Sequence, residues 1–174
     1  HGQLADDVIA ILDIDDFSEI NDALGHQQGD RLLQAVADRL KVELDSGTVL
    51  ARIGGDTFGL MGSRAALDPV TVLGMFRTPF QVQDDSMVVT ATMGLTQNLG
   101  EGIAGRDALK DANIALKLAK KNRRGGFVVF SAEMGAEIRE RVRLLQALRH
   151  AVESERLFVV YQPQLNLPTG TPVG

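Results

Sequence analysis

The segment DVIAIL at residues 7–12, running straight into Asp13-Ile14-Asp15-Asp16, constrains the fold more than any other part of the chain. A short apolar run rich in β-formers reads as a buried central strand. Such a strand needs neighbours on both edges and helices to cover it. Three acids at its end fall where functional groups gather in sheets of this kind.

The rest of the chain supplies those neighbours. Residues 16–24 read as a short helix stopped by Gly25. Residues 29–44 read as a longer one, with Leu33, Val36, Ala37, Leu40 and Leu44 on one face. Residues 48–53 and 57–61 read as strands joined by a Gly54-Gly55-Asp56 turn. A helix is expected over 68–77, ending before Pro79. Strands follow at 79–83 and 87–96, around Asp84-Asp85-Ser86. A helix over 105–121 turns Leu109, Ala112, Leu116 and Ala119 inward, and a strand follows at 127–130. This predicts an α+β domain with a mixed central sheet flanked by helices. Beyond it, residues 132–154 read as a long amphipathic helix striped by Ile138, Val142, Leu145, Leu148 and Val152. Residues 157–161 read as one more strand.

Composition removes several function classes. The chain has no cysteine, which excludes disulfides and thiolate metal sites. Its three histidines, His1, His26 and His150, are too scattered to form a ligand cluster. A net charge of -5 gives no overall pull toward nucleic acid or anionic lipid. No apolar run approaches the ~20 residues that span a bilayer. The expected location is cytoplasmic, although a parent protein could be anchored upstream.

Four groups of residues could carry chemistry. Asp13 and Asp56 meet at one sheet edge if their strands are neighbours, and two carboxylates with open positions suit Mg²⁺. The alternative is a pair of solvated turn acids. Gly54 and Gly55 allow backbone to approach a ligand, or simply make a hairpin. Asn21 and Asp30 can read the donor–acceptor edge of a purine, or can cap helices. Lys120, Lys121, Arg123 and Arg124 close a helix, either as partners of its dipole or as a phosphate clamp.

Taken together, residues 7–130 resemble the GGDEF family of diguanylate cyclases. The resemblance rests on ILDIDDFSEINDALGHQQGDRLLQAVADRL, then LARIGGDTFGL, then DANIALKLAKKNRRGG. It implies a nucleotidyl-cyclase-like, ferredoxin-like palm lacking the family's usual N-terminal stretch. It also implies a reaction that joins two GTP molecules into cyclic-di-GMP across two facing domains, hence a possible homodimer. By the same resemblance Asp13, the Ile14 carbonyl and Asp56 would hold Mg²⁺ (or Mn²⁺). Asn21 and Asp30 would read guanine. Phe17, Gly54 and Gly55 would line the phosphate path, and Lys120 and Arg124 would bind phosphates. LFVVYQPQLNLPTGTPVG looks like the opening of an EAL phosphodiesterase domain. The resemblance therefore divides the chain into a GGDEF domain at 1–131, a connector helix at 132–156 and the start of an EAL domain at 157–174. The sequence stops where the EAL tripeptide would follow, so no phosphodiesterase activity is expected of it.

Three positions depart from the family pattern. Thr57 stands where the signature has Glu, Ser18 where a phosphate-contacting Lys is usual, and Lys117 where an aromatic is common. The first two each remove a charge from the reacting region, and each such loss commonly costs ~3 kcal/mol of transition-state stabilisation. Asp45 and Thr48 replace the Arg and Asp of the family's product-inhibition site, so no cyclic-di-GMP binding is expected there. The expectation is a degenerate domain that binds GTP and regulates an EAL partner, with little or no cyclase activity. A weakly active cyclase and a non-binding structural or dimerisation module are the alternatives. No nucleic-acid or membrane contact is expected.

Overall fold

The computed structural model describes residues 7–96, 105–160 and 162–172, which form two compact units, residues 1–135 and 136–174. The first unit is built on a five-stranded sheet. Its strands are β1 (Asp7–Ile14), β2 (Val49–Arg52), β3 (Thr57–Ser63), β6 (Ala91–Leu95) and β7 (Phe127–Val129), in the order β2-β3-β1-β6-β7. The sheet is mixed: β1 pairs antiparallel with β3 and β6, and β6 pairs parallel with β7. Strand β1 is central, as its unbroken apolar run requires.

The period-2 alternation of β1 separates two cores. Val8, Ala10, Leu12 and Ile14 face the larger one, with α1 (Phe17–Leu24) and α2 (His26–Glu43). Leu32, Val36 and Leu40 of α2, four residues apart, are at most 1% exposed there. Ile9 and Ile11 face the smaller core with Ala108, Ala112 and Leu116 of α4 (Gly105–Asn122). Helix α4 rides very close to the sheet. A Cβ on Gly94 of β6 would lie closer than 3.0 Å to main-chain atoms of Ala112 and Leu116. This explains one departure from expectation: Leu109 is 42% exposed, whereas Ala108, Ala112, Ala115 and Ala119 are buried. The close approach favours small side chains, so Ala108, Ala112, Ala115 and Ala119 face the sheet together with Leu116, while Leu109 is left at the rim.

Helix α3 (Pro69–Gly74) continues as a 3₁₀ turn, Met75–Arg77. Strands β4 (Phe80–Val82) and β5 (Asp85–Met87) form a separate two-stranded sheet. The expected single strand over 87–96 is therefore divided. Its first residue closes β5, and its main part crosses to the central sheet as β6. The reversal falls at Gln83, whose φ is 59°, one residue before the expected turn.

Helix α5 (Ala132–Glu153) runs from the end of the first unit into the second. Its stripe is largely solvent-exposed, with Ile138 at 42% and Val152 at 57%. The strand expected at 157–161 is not formed among the described residues. Residues 157–160 have no ladder partner, and Phe158 is 83% exposed; a lone strand leaves its backbone groups to water. Tyr161 lies outside the described residues. A turn closed by the Leu165–Pro172 bridge follows, with Gly170 at φ 67°. No helix is long and apolar enough to cross a membrane among the described residues.

Candidate functional site

The antiparallel register sets Asp13, at the end of β1, opposite Thr57, the first residue of β3. Asp56 therefore lies beside the same edge. Thr57 Oγ1 donates to Asp13 Oδ2 at 3.0 Å and lies 3.5 Å from Asp56 Oδ1, so one hydroxyl spans the two carboxylates. Asp13 and Thr57 share the α4 face of the sheet. From α4, Lys120 Nζ comes within 2.5 Å of Asp13 Oδ1. This contact is an ion pair, and among the described residues Oδ1 has no other partner. Asp13 is only 6% exposed, and burial of that kind makes a counter-charge necessary. Asp13, Gly54, Thr57, Asn113, Lys117 and Lys120 border a hollow of about 340 Å³.

The second cation is held at the adjoining corner. Arg124, just past α4, pairs with Asp16 Oδ1. Asp16 is the N-cap of α1 and adopts a left-handed conformation, φ 55°, which Asp tolerates better than most residues. Ile14 N donates to Asp56 O at 3.1 Å, which fixes the glycine hairpin to β1. Arg52 closes that hairpin from β2. Its guanidinium donates to Gly54 O at 3.2 Å and to Gly55 O at 2.6 and 3.0 Å.

On the α2 face, a larger hollow of about 610 Å³ is bordered by Asp30, Leu33, Gln34, Lys41, Arg52 and Phe58. Alternation along the hairpin separates the two hollows, with Phe58 and Arg52 on one side and Thr57 and Ile53 on the other. Asn21 of α1 is held against Gly29, the residue before Asp30. A Cβ at Gly29 would collide with Asn21 Oδ1 and reach within 3.1 Å of Phe17 Cζ. Asn21 Oδ1 is a buried acceptor with no partner among the described residues, and such orphans are uncommon in folded proteins.

The sequence-derived residues are thus not all alike in place. Asp13, Asp56, Thr57, Gly54 and Lys120 come together at one edge, Arg124 flanks them, and Asn21 and Asp30 sit around Gly29. Phe17 is in the larger core at 8% exposed. Ser18 is exposed in the first turn of α1, and Gly55 has nothing within 4 Å of its side-chain direction. Asp45 organises a turn, accepting from Gly47 N at 3.2 Å, while Thr48 packs against Gly62. Sequence reasoning missed Arg52, Asn113 and Asp16 as neighbours of this edge. Asp16 was readable from its place in the acidic run; Arg52 and Asn113 carry no local signal.

Among the described residues no three His, Cys, Asp or Glu side chains cluster as a metal cage. Two carboxylates bridged by a hydroxyl, one of them ion-paired with Lys120, do fit a single Mg²⁺ that completes its shell with water and phosphate oxygens. Lys120 would have to yield Asp13 to it.

Comparison with known proteins agrees with this architecture. The family model described as diguanylate cyclase, GGDEF domain, matches residues 4–126. Over 171 residues the chain is 32% identical to the bifunctional diguanylate cyclase/cyclic di-GMP phosphodiesterase MucR of Pseudomonas aeruginosa, covering 95% of this chain and 25% of that protein. It is 33% identical over 162 residues to the cyclic di-GMP phosphodiesterase PdeR of Escherichia coli, covering 90% and 24%. The chain thus spans about a quarter of the length of these relatives. Among solved structures, the GGDEF domain of YfiN (TpbB) from Pseudomonas aeruginosa superposes with a TM-score of 0.68 at 28% identity, covering 76% of this chain and 81% of that one. An EAL/GGDEF domain protein from M. capsulatus gives 0.66 at 32% identity, covering 72% and 84%.

Proposed function

The chain belongs to the GGDEF family of diguanylate cyclase domains, whose relatives act in cyclic-di-GMP signalling, and from that premise we propose that it binds GTP with Mg²⁺ (or Mn²⁺) without efficiently condensing it. The observation that carries the reading is the environment of Thr57. Its hydroxyl occupies the edge between Asp13 and Asp56, where a hydroxyl can neither anchor a cation strongly nor accept a proton as a carboxylate does. Capture is supported by Asn21 with its orphan acceptor, by Asp30 at the edge of the larger hollow, and by the cations of Lys120 and Arg124 at the adjoining corner.

In this reading guanine takes the α2 side of the hairpin, read by Asn21 and Asp30. The triphosphate passes Gly54 and Gly55 to reach Lys120 and Arg124. Asp13, Asp56 and the Ile14 carbonyl hold Mg²⁺, which supplies charge neutralisation at the phosphates when bound. Phe17 supports this path from the core, its ring lying against Gly29. Ser18 and Thr57 leave two charges absent where the reaction would need them.

Residues 1–131 form the nucleotide domain, 132–156 a connector, and 157–174 the start of an EAL domain whose phosphodiesterase responds to GTP occupancy. That regulatory role draws on the names of relatives such as PdeR, a cyclic di-GMP phosphodiesterase. Calorimetric titration with GTP in Mg²⁺, with assay of the same mixture for cyclic-di-GMP, tests the reading. Micromolar binding without product is expected. Abundant product would make the domain a cyclase, and absence of binding would leave only a structural role.

A further inference from the structure

One buried ionisable group has no part in the reading above. Asp15 is 5% exposed, between Ile14 and Asp16. A carboxylate so enclosed is costly unless fully hydrogen-bonded. Asp15 is so bonded: it accepts from Thr92 Oγ1 at 2.6 Å, Thr90 Oγ1 at 2.7 Å and Gly125 N at 2.9 Å. Its own amide donates to Thr90 O at 2.9 Å. Three separate pieces of chain therefore converge on one carboxylate: the end of β1, the start of β6 and the turn between α4 and β7.

The turn end of this knot is specific. Gly125 adopts φ 72°, a conformation that strains any residue with a Cβ. That conformation aims its N–H inward, where Thr92 Oγ1 also receives it at 3.0 Å. Arg124 immediately precedes Gly125 and pairs with Asp16, which immediately follows Asp15. The carboxylate and its neighbour thus grip the turn at consecutive positions on both sides, one from inside and one from the surface.

We propose that Asp15 is a positioning residue for nucleotide phosphate: by holding the Gly125 amide it fixes where Arg124 can reach beside the Asp13–Thr57 edge. This rests on the GTP-binding reading. Asp15 itself touches no ligand. Its substitution should therefore weaken recognition of phosphate and spare recognition of the base. Asn at position 15 keeps the shape, and its amide oxygen can stay on the Gly125 N–H while its amino group turns to the Thr92 hydroxyl. The charge is gone, however, and the bond to the turn falls from a charge-assisted to a neutral one. The turn is then held less tightly.

The test compares wild type, Asp15→Asn, Arg124→Ala and the double variant. GTP affinity is measured by calorimetry, guanosine affinity by NMR shift titration, and amide exchange at residues 123–126 without ligand. Asp15→Asn is expected to weaken GTP about tenfold, as loss of a charge-assisted contact would, and to leave guanosine unchanged. The double variant should bind GTP no more weakly than Arg124→Ala alone, because both act through one group. Exchange should accelerate at Gly125 while β1 stays protected. Equal losses for GTP and guanosine, full additivity with Arg124→Ala, or unchanged exchange at Gly125 would each overturn the proposal. Failure of the wild type to bind GTP would instead sink the nucleotide reading, and the positioning role with it. If Asp15→Asn does not fold, Thr90→Val removes one donor from the same carboxylate, and the same GTP–guanosine split is required of it.

Discussion

Gly94→Ala and Gly74→Ala are the same chemical change, and the structure demands opposite outcomes. At Gly94 the added methyl would meet Leu116 N, Ala112 O and Leu116 Cα, the last at 2.7 Å. All three belong to the main chain of α4, so no rotamer change can relieve the clash; the helix must lift. Overpacking of this kind costs ~1–3 kcal/mol, and a rigid obstacle puts Gly94→Ala near ~3 kcal/mol by the same scale. Lifting α4 also loosens Ala112 and Leu116 from Ile9 and Ile11. Against a domain stability of ~5–15 kcal/mol this is a large fraction, equivalent to a fall in melting temperature of about 6–12 °C. Gly74 closes α3 at φ -58°, and a Cβ there would meet nothing within 4 Å. At that position Ala removes unfolded-state freedom and should stabilise by ~0.4–1 kcal/mol. Urea unfolding followed by circular dichroism measures both, since the chain has no tryptophan to report by fluorescence. A Gly94→Ala loss below ~0.5 kcal/mol, within the range of ordinary surface changes, would refute the close approach of α4 to β6.

Three further outcomes follow from the site and its surroundings. Asp16→Asn keeps a residue that tolerates the left-handed backbone but releases Arg124 while Asp15 still holds the Gly125 amide, so GTP should bind ~2–5-fold more tightly, the scale of an exposed ion pair; calorimetry showing weaker binding would mean that the ion pair positions Arg124 rather than competing for it. Thr57→Glu with Ser18→Lys should raise cyclic-di-GMP formation by roughly a hundredfold or more over the wild type, and should make GTP binding more dependent on Mg²⁺ because a third carboxylate then joins Asp13 and Asp56; a product assay and an EDTA titration read these. Asp68 caps α3 by accepting from Thr71 Oγ1 and N, and these hydrogen bonds, the side-chain one foremost, hold its carboxyl below the usual value of 3.8. A depressed folded pKa gives stability that is present above the unfolded pKa and is lost as pH falls through the folded one. Asp68→Ala should therefore lower the melting temperature at neutral pH, with the difference from wild type shrinking only below about pH 4; a difference constant down to pH 2 would exclude the ionised cap.

Local chemistry made much of this protein legible in its sequence. A short apolar run rich in β-formers and ended by acids reads as a buried strand, so β1 and its acidic end were readable from composition and length. Helices α2 and α4 announce themselves by apolar residues at helical spacing, and Gly54-Gly55-Asp56 by its freedom to turn. What the sequence could not fix depends on distances between segments far apart in the chain. Leu109 sits as well on the apolar stripe of α4 as Ala112 does, and the approach of that helix to Gly94 turns the alanines and Leu116 inward and leaves Leu109 out. Residues 87–96 read as one strand because local preference does not say which of two sheets will offer hydrogen bonds. Asp13, Asp15 and Asp16 are three similar acids in a row. Tertiary structure divides them: Asp13 meets Lys120 and Thr57, Asp15 is enclosed by two threonines and the Gly125 amide, and Asp16 is left at the surface with Arg124. Their partners lie more than 40 residues away in sequence, and a carboxylate's role is set by whichever charges and donors the fold brings to it.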